Sequence, residues 1–501
     1  MSTLSELLPA GSGGKNVDFV ASGTLTSGQT VALKTDGKVE AIGTSSAAMS
    51  SGFNVDADQP ATQSAVYVSS VDRVAVMYMN QITTYPEAVI GQITGSSISF
   101  GTPQVISTDI QSVDCCGIYD ENADRIVLFA TRNSNNYVGV VGTVTGGASN
   151  TSSWGSYQTI GTSSGLVKAR AAVYMPDVQK CFLVVWDNTV SNGQIIGSSS
   201  TVNPNNNTIT ANSTLSLDST NGPGYTTYGV GITYDSVYGV AILGYNNGYS
   251  TTVKAVQADV SSNGTITKGT TRSLSSSGYY DFITIDFDSK TGKCGLIGIQ
   301  SNQPMIFGVY SSSATTLAQG NNGPYTLGAL AAGNVEGRIK SNGNNEFIYA
   351  YQYNASGTQK PNYWTLYIDS NNDLMNTSQS TDFGTAGANG EYAIAYDTTA
   401  QKFVIVFYSI ATTDKNQAHL YNFTTTNTSN FIGITDAAIA DTATGSVTIK
   451  GGIASNGLSS LTPNSVYYVQ GDGTISTTST SPAVRLGKAL SSTSINLEFN
   501  S

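Results

Sequence analysis

A segment that recurs seven times constrains the fold of this 501-residue chain more than any other feature. Each copy has a short apolar run, a polar turn and a second apolar run, and we call the residue before the turn the anchor residue. The anchor residues are Tyr67, Tyr119, Tyr174, Tyr234, Phe287, Lys340 and Tyr396. Successive anchors lie 52, 55, 60, 53, 53 and 56 residues apart. A near-constant period of this length indicates repeated supersecondary units.

The content of one repeat predicts which unit it is. Six of the seven copies carry a polar residue six positions after the anchor, and two further strand-like runs separated by Gly, Asn or Ser turns follow. Four strands per repeat are typical of propeller blades. The sequence therefore predicts an all-β fold, a seven-bladed β-propeller of four-stranded blades over residues 44–431. A series of sandwiches and a β-solenoid are the alternatives.

The two ends of the chain resemble each other. Residues 25–42 and 461–478 each run from Leu-Thr through an alternating strand to Asp-Gly, 11 residues later, and into a second strand. Asp-Gly between alternating runs predicts a hairpin, although such hairpins are common enough for the likeness to be coincidental. We expect an N-terminal arm and hairpin over 1–43 and a small C-terminal β module over 432–501, packed together. The segment 37–43 is the expected closing strand of the last blade.

The composition and charge of the chain argue against several classes of function. Charged residues make up 11% of the chain and the net charge is −11, which disfavours a nucleic-acid partner because phosphate binding needs a basic surface. No apolar run is long enough for membrane insertion, and the N-terminus does not read as a signal peptide. Four scattered cysteines without a CxxC motif indicate folding in a reducing cytoplasm.

Catalytic motifs are absent from the sequence. There is one histidine, His419, which is expected to be structural, and no nucleophile elbow, zinc-binding helix motif or phosphate-binding loop. The neighbours Cys115 and Cys116 are expected to fill the core on opposite faces of a strand. We therefore expect a protein that is not an enzyme and has no cofactor and no metal site; calcium binding stays an open question.

The loop after the second strand of each repeat is the candidate binding surface. If all units share one register, these loops emerge on the same face, and amide groups beside aromatic rings suit sugar or protein recognition. The candidate binding residues are Tyr78, Asn80, Arg132, Asn133, Trp186, Asn188, Tyr245, Asn246, Asn302, Tyr353 and Asn354, and Asn416 occupies the same place in the last repeat. The alternative is that each Asn is an ordinary turn residue.

The repeat also resembles a known group of proteins. An aromatic-Asp turn, a Lys or Arg, an apolar strand and the run SISFGTP at 97–103 are similar to propeller-bearing virion proteins of tailed bacteriophages, especially marine phages. The segment FIGITDAAIADTATGSVTIKGG at 431–452 and the hairpin at 461–478 resemble β modules of phage tail and appendage proteins. The resemblance covers nearly the whole chain.

The resemblance implies a virion structural protein, a tail or capsid appendage that is made in the host cytoplasm. It would dock through its terminal modules and display the propeller for host attachment. Its partners would be other virion proteins, further copies of itself within the particle, and a host surface glycan or receptor. The alternatives are a lectin-like module that binds a glycan or receptor, and a secreted glycosidase.

Overall fold

The computed structural model shows an all-β chain of antiparallel sheets, and its described residues include a short 3-10 turn, Thr428–Asn430. It describes residues 15–498 except for 35, 57–58, 112–113, 134, 148–149, 164–166, 189–192, 220–228, 248–249, 276–279, 301–302, 328–336, 356–357, 380–381, 384–387, 410–414 and 481. Within these residues no helix is long and apolar enough to cross a membrane.

The chain divides into two compact units. The repeat unit comprises residues 49–421, and the terminal unit comprises 1–48 together with 422–501. These limits lie a few residues inside the expected repeat region of 44–431. The N-terminal and C-terminal segments thus belong to one unit.

The repeat unit consists of consecutive antiparallel sheets, which we number 1 to 7 along the chain. In each sheet the strands follow one another in sequence order, and where a fifth short strand is present it pairs with the third. The strands are Pro60–Val68, Arg73–Asn80, Pro86–Thr94, Ser97–Phe100 and Gln104–Val105 in sheet 1; Cys115–Asp120, Arg125–Asn133, Asn136–Thr145, Thr151–Trp154 and Gln158–Thr162 in sheet 2; Val167–Met175, Lys180–Asp187, Gln194–Asn203 and Thr208–Asp218 in sheet 3; Val230–Asp235, Val240–Asn247, Ser250–Val260, Ile266–Lys268 and Arg272–Ser273 in sheet 4; Tyr280–Asp288, Lys293–Gln300, Gln303–Ser313, Thr316–Gln319 and Tyr325–Thr326 in sheet 5; Gly337–Ser341, Phe347–Ala355, Thr358–Ile368 and Leu374–Gln379 in sheet 6; and Ala388–Asp397, Lys402–Ser409 and Lys415–Asn422 in sheet 7.

The anchor residues occupy equivalent positions, which confirms the register read from the repeat. Each is the next-to-last residue of the first strand of its sheet. Five residues later the backbone has a positive φ of 52–68° in every copy, at Asp72, Asp124, Gln179, Gly239, Gly292, Asn345 and Gln401. Buried aspartates help to form the turn: Asp120 Oδ1 accepts hydrogen bonds from the N–H groups of Asn122 and Ala123 at 3.1 and 2.9 Å. Local turn chemistry therefore sets the hairpin geometry.

Sheet 7 is completed by the N-terminal part of the chain, but not by the expected segment. Phe53–Asp56 pairs with Lys415–Asn422 through Phe53 and Ala418, and Ala48–Met49 extends the same edge. The expected closing strand, 37–43, instead folds back on its own hairpin, where Val39 pairs with Leu33. The reason is local: the tight Asp-Gly turn commits that segment to its neighbour in sequence.

The first strands of consecutive sheets lie side by side, and the first strand of sheet 7 also contacts that of sheet 1. The free edge of a first strand has backbone N–H groups that no further strand of its own sheet can accept. In sheets 2, 5 and 6, side chains of the preceding sheet accept some of these N–H groups. The Gly117 N–H donates to Ser64 Oγ at 3.0 Å, Phe287 N–H to Thr233 Oγ1 at 3.0 Å and Ile339 N–H to Thr284 Oγ1 at 3.2 Å.

The core lies between neighbouring sheets and is built largely from second strands. Seven second-strand residues are fully buried: Val74, Val76, Ile126, Leu128, Val184, Ile405 and Phe407. Alternation along a strand sends Leu128 towards sheet 1 and Val127 and Phe129 towards sheet 3. Cys115 and Cys116 likewise join different clusters; both are buried, and neither forms a disulfide within the described part of the chain.

The terminal unit contains strands from both ends of the chain. One sheet has the order Asn16–Val20, Thr444–Ile449, Phe431–Thr435, Thr30–Leu33 and Val39–Ala41. A second has the order Ile453–Ala454, Ser494–Leu497, Ala483–Ser491, Val466–Gln470 and Ile475–Ser476, and Thr44–Ser45 pairs with Thr425–Thr426. Both Asp-Gly hairpins form and touch each other, because Thr30 Oγ1 donates to the Gly473 carbonyl at 2.7 Å.

Candidate functional site

The anchor residues converge on one cavity of the repeat unit. This anchor cavity has a volume of about 510 Å³ and lies where the first strands of the sheets end. Its lining includes every anchor residue: Tyr67, Tyr119, Tyr174, Tyr234, Phe287, Lys340 and Tyr396. Six aromatic rings and one ammonium group therefore surround a space large enough for a small organic ligand.

An ion pair of the anchor cavity lies on the side formed by sheets 5 and 6. Lys340 Nζ is 3.0 Å from Asp286 Oδ1, and Asp286 Oδ2 accepts the Ser341 N–H at 2.7 Å. Glu121, an exposed residue of sheet 2, lines the cavity as well. The lining thus combines six aromatic residues with charged groups of both signs, which together offer apolar contacts and hydrogen bonds to a ligand.

Two tyrosine hydroxyls of the lining, those of Tyr67 and Tyr119, are held by turns of the repeat unit. Tyr67 Oη donates to Asp72 at 2.9 Å and lies 2.7 Å from Thr399 Oγ1 of sheet 7, and Tyr119 Oη donates to Asp124 at 3.0 Å. Burial, followed by the charge of Glu346 and Asp397, raises the pKa of Tyr396 to about 12. The rings are therefore neutral at physiological pH and cannot act there as phenolate bases.

The predicted binding loops lie at the opposite end of the sheets from the anchor residues. In sheet 1, Asn80 at the end of the second strand pairs with Pro60 at the beginning of the first. Tyr78 and Asn80 are buried rather than displayed: both donate to the Glu87 carboxylate, at 3.1 and 3.0 Å. Asn80 Oδ1 also accepts the N–H groups of Ile82 and Thr83, so this Asn holds its own turn.

Other predicted loop residues are also buried, which corrects their expected role as exposed platforms. Trp186, Tyr245, Asn246 and Asn416 are each at most 5% exposed. Tyr245 Oη donates to Asp218 at 2.9 Å, and Asn416 Nδ2 donates to Gln63 at 2.8 Å. The physical reason is that the second strand forms the core between sheets, so the aromatic residues near its end continue that core.

The remaining predicted residues are more open or cannot be placed. The Arg132 guanidinium stacks 4.4 Å over the Tyr157 ring and Nε donates to the Asp109 carbonyl, while Asn188 is half-buried. Asn302 lies outside the described residues, as do the side chains of Asn133, Tyr353 and Asn354. Sequence reasoning used the anchor residues only to define the repeat. The sequence feature that could have indicated a site at the anchor residues is that six of the seven are aromatic.

His419 lies in the third strand of sheet 7 and is almost fully buried. Its Nδ1 is 3.0 Å from the carbonyl of Ser50, next to the segment that completes the sheet, and its ring stacks on Phe407. Burial lowers the pKa of His419. Among the described residues no group of three or more His, Cys, Asp and Glu side chains is arranged to hold a metal ion.

The sequence matches no protein-family model and no curated protein. Among solved structures, the chain resembles an ulvan lyase of polysaccharide lyase family PL25, solved with bound -[GlcA(1-4)Rha3S]-, at 10% identity and a TM-score of 0.43 over 73% of this chain and 95% of that one. It also resembles a protein from Lactobacillus plantarum, at 8% identity and a TM-score of 0.44 over 75% and 99% of the two chains. A 6-phosphogluconolactonase-like protein from Bacteroides uniformis matches at 14% identity and a TM-score of 0.41 over 65% and 86%.

These likenesses contradict the expectation that the chain is not an enzyme. Two of the similar structures are a polysaccharide lyase and a lactonase-like protein, so the expectation from missing motifs was wrong and is withdrawn. With TM-scores of 0.43 and 0.41, the likenesses assign neither activity to this chain.

Proposed function

We propose that sheets 1 to 7 form a closed seven-bladed β-propeller in which the N-terminal segment 48–56 completes the last blade. The contact between sheets 7 and 1 supports closure, because it repeats the contacts between earlier sheets. Arg73 of sheet 1 donates to Asn150 at 2.7 Å, and Arg125 of sheet 2 donates to Asn207 at 2.7 Å; each acceptor lies in the turn between the third and fourth strands of the next sheet. Lys402 of sheet 7 likewise donates to Gly95, in the turn between the third and fourth strands of sheet 1.

In such a propeller the first strands surround a central channel, and the anchor cavity is one mouth of it. We propose that the protein is a recognition protein that binds a carbohydrate at this mouth. The observation that carries the proposal is the convergence of all seven anchor residues on one cavity of about 510 Å³. Aromatic rings supply rigid apolar contact area, and the Lys340–Asp286 pair supplies a donor and acceptors for sugar hydroxyls.

The setting that we propose is a tailed-bacteriophage particle, with this chain as a tail or capsid appendage used for host attachment. Its support is the resemblance of the repeat and of the C-terminal segment to virion proteins. The construction of the terminal unit agrees with a docking role, because segments from both ends of the chain share one sheet apart from the repeat unit. Other virion proteins and further copies of this chain would be its partners.

A glycan array probed with the purified protein tests recognition. We expect binding by the wild type and its loss in Tyr67→Ala and Tyr119→Ala, which remove half-buried rings from the cavity lining. Tyr367→Ala is the matched control, because that tyrosine is 37% exposed and does not line the cavity. Melting curves check that each variant is folded. Equal binding by all three variants would refute the site.

Two further measurements separate the remaining alternatives. Mass spectrometry of purified phage particles tests the setting, and absence of the chain from them would overturn the virion proposal while leaving glycan recognition intact. Incubation with each bound polysaccharide, followed by size analysis of the product, tests turnover. If the wild type shortens the polysaccharide and Tyr119→Ala does not, the anchor cavity is a catalytic site and the proposal of recognition alone is wrong.

A further inference from the structure

A second, smaller cavity lies at the beginning of the first strands, away from the anchor residues. It has a volume of about 180 Å³ and we call it the Arg338 chamber. Its lining comes from the first strands of sheets 1 to 6 and from the residues just before them, including Ser64, Asp114, Thr284 and Arg338. The space would hold about six water molecules at roughly 30 Å³ each, which is too little for a drug-sized ligand.

Most N–H groups of the Arg338 guanidinium form no hydrogen bond within the described part of the chain. Its guanidinium lies 4.7 Å over the ring of Phe282, and Nη1 donates to the carbonyl of Gly337 at 3.2 Å. A guanidinium has five N–H donors. Within the described part of the chain Arg338 forms no ion pair, whereas Asp114 of the same chamber lies 3.5 Å from Lys168 Nζ. The chamber therefore contains a positive charge that forms no ion pair with a described carboxylate.

Two hydroxyl groups of the lining accept a backbone N–H and keep a proton to donate. Ser64 Oγ accepts the Gly117 N–H at 3.0 Å, and Thr284 Oγ1 accepts the Ile339 N–H at 3.2 Å. Among the described residues neither hydroxyl donates a hydrogen bond of its own. A hydroxyl that already accepts a backbone N–H still has its proton to give. Guanidinium N–H groups and hydroxyl protons together form a donor set for an anion.

We propose that the Arg338 chamber binds one small oxyanion, such as a free sulfate or phosphate ion or the carboxylate of a small acid. The planar guanidinium matches an oxyanion with two parallel hydrogen bonds. Stacking on Phe282 fixes the plane of the guanidinium in advance, so less side-chain entropy is lost on binding. The proposal does not depend on a ligand in the anchor cavity, since Arg338 does not line that cavity.

Isothermal titration of the full chain with sodium sulfate, inorganic phosphate and sodium acetate tests the proposal, with ionic strength held constant by sodium chloride. We expect one site per chain and affinity that is weaker by about tenfold or more in Arg338→Ala, because charge-assisted hydrogen bonds are lost. Preference for sulfate and phosphate would identify a tetrahedral ion, and preference for acetate a carboxylate.

The matched control is Arg272→Ala, which removes an exposed arginine that lines neither cavity, and it should bind like the wild type. If Arg338→Ala does not fold, Arg338→Lys makes the same test, since an ammonium group cannot form the paired bonds. The proposal is overturned if none of the three anions binds, or if the folded Arg338 variant binds as tightly as the wild type.

Discussion

Replacing Leu128 by alanine should reveal how much the packing between sheets 1 and 2 stabilises the repeat unit. Leu128 is fully buried and packs with Val68, Met77 and Ile90 of sheet 1. The substitution removes the equivalent of three methylene groups, and the transfer term alone is about 2.4 kcal/mol at roughly 0.8 kcal/mol each. The cavity left behind adds to this loss.

The surroundings of Leu128 decide where within the usual range of about 2–5 kcal/mol the loss falls. Gly117 is opposite Leu128 in the neighbouring strand and has no side chain that could move into the space. Met77 packs closely there, since a Cβ on Gly117 would lie 2.3 Å from its Cε, and this flexible side chain can fill part of the gap. We therefore expect a loss of about 3 kcal/mol.

Urea denaturation followed by tryptophan fluorescence measures this loss directly. All three tryptophans, Trp154, Trp186 and Trp364, belong to the repeat unit, so the signal reports on that unit. Ile82→Ala is the matched control, because it removes the same number of carbons from a side chain that is 66% exposed, and it should change stability by less than about 0.5 kcal/mol. Similar losses for the two variants would show that second strands do not form the core.

Three further predictions follow from particular contacts. Burial lowers the pKa of His419 from its usual 6.5, so the unfolded chain binds a proton that the folded chain does not, and stability should fall as the pH drops below about 6.5. Urea titrations from about pH 7.5 to 5.5 should show that His419→Gln removes this part of the pH dependence of stability, and an unchanged dependence would refute the assignment. Arg73→Ala should lower the free energy of unfolding by about 2–3 kcal/mol, because Arg73 is buried and joins sheets 1 and 2 through Asn150 and Gly147. In the same urea denaturation assay the control Arg272→Ala should be nearly neutral. Gly231→Ala should cost about 1–3 kcal/mol of stability, since its Cβ would lie 3.0 Å from the backbone N of Ile285 and 3.1 Å from Thr284 Cα. Gly43→Ala is the control because its Cβ would face open space, and calorimetry that finds the two variants equally stable would contradict the close approach of sheets 4 and 5.

The strand register and the hairpin turns could be predicted from the sequence because they depend on neighbours along the chain. The anchor residue, the positive-φ position five residues later and the start of the second strand are all within one turn. The Asp-Gly hairpins at Gly37 and Gly473 are equally local, and both glycines have positive φ. Along Ile126–Ala130 every residue is buried, and alternation decides only which neighbouring sheet each side chain faces.

The site and the completion of sheet 7 could not be predicted in this way, because they depend on residues far apart in sequence. The pairing of Phe53–Asp56 with Lys415–Asn422 joins segments more than 350 residues apart, and no local pattern in Phe53–Asp56 indicates the strand with which it pairs. Asn80 appeared to be a binding residue, yet its hydrogen bonds hold its own turn.

What the sequence by itself determined is the repeating strand-and-turn unit, since hydrophobic alternation and turn chemistry act over a few residues. Only the tertiary structure decided what the repeats enclose. Seven anchor residues about 55 positions apart line one cavity because the first strands of their sheets lie side by side. Arg338 faces a second cavity for the same reason. Convergence of this kind follows from packing between sheets, which no single repeat contains.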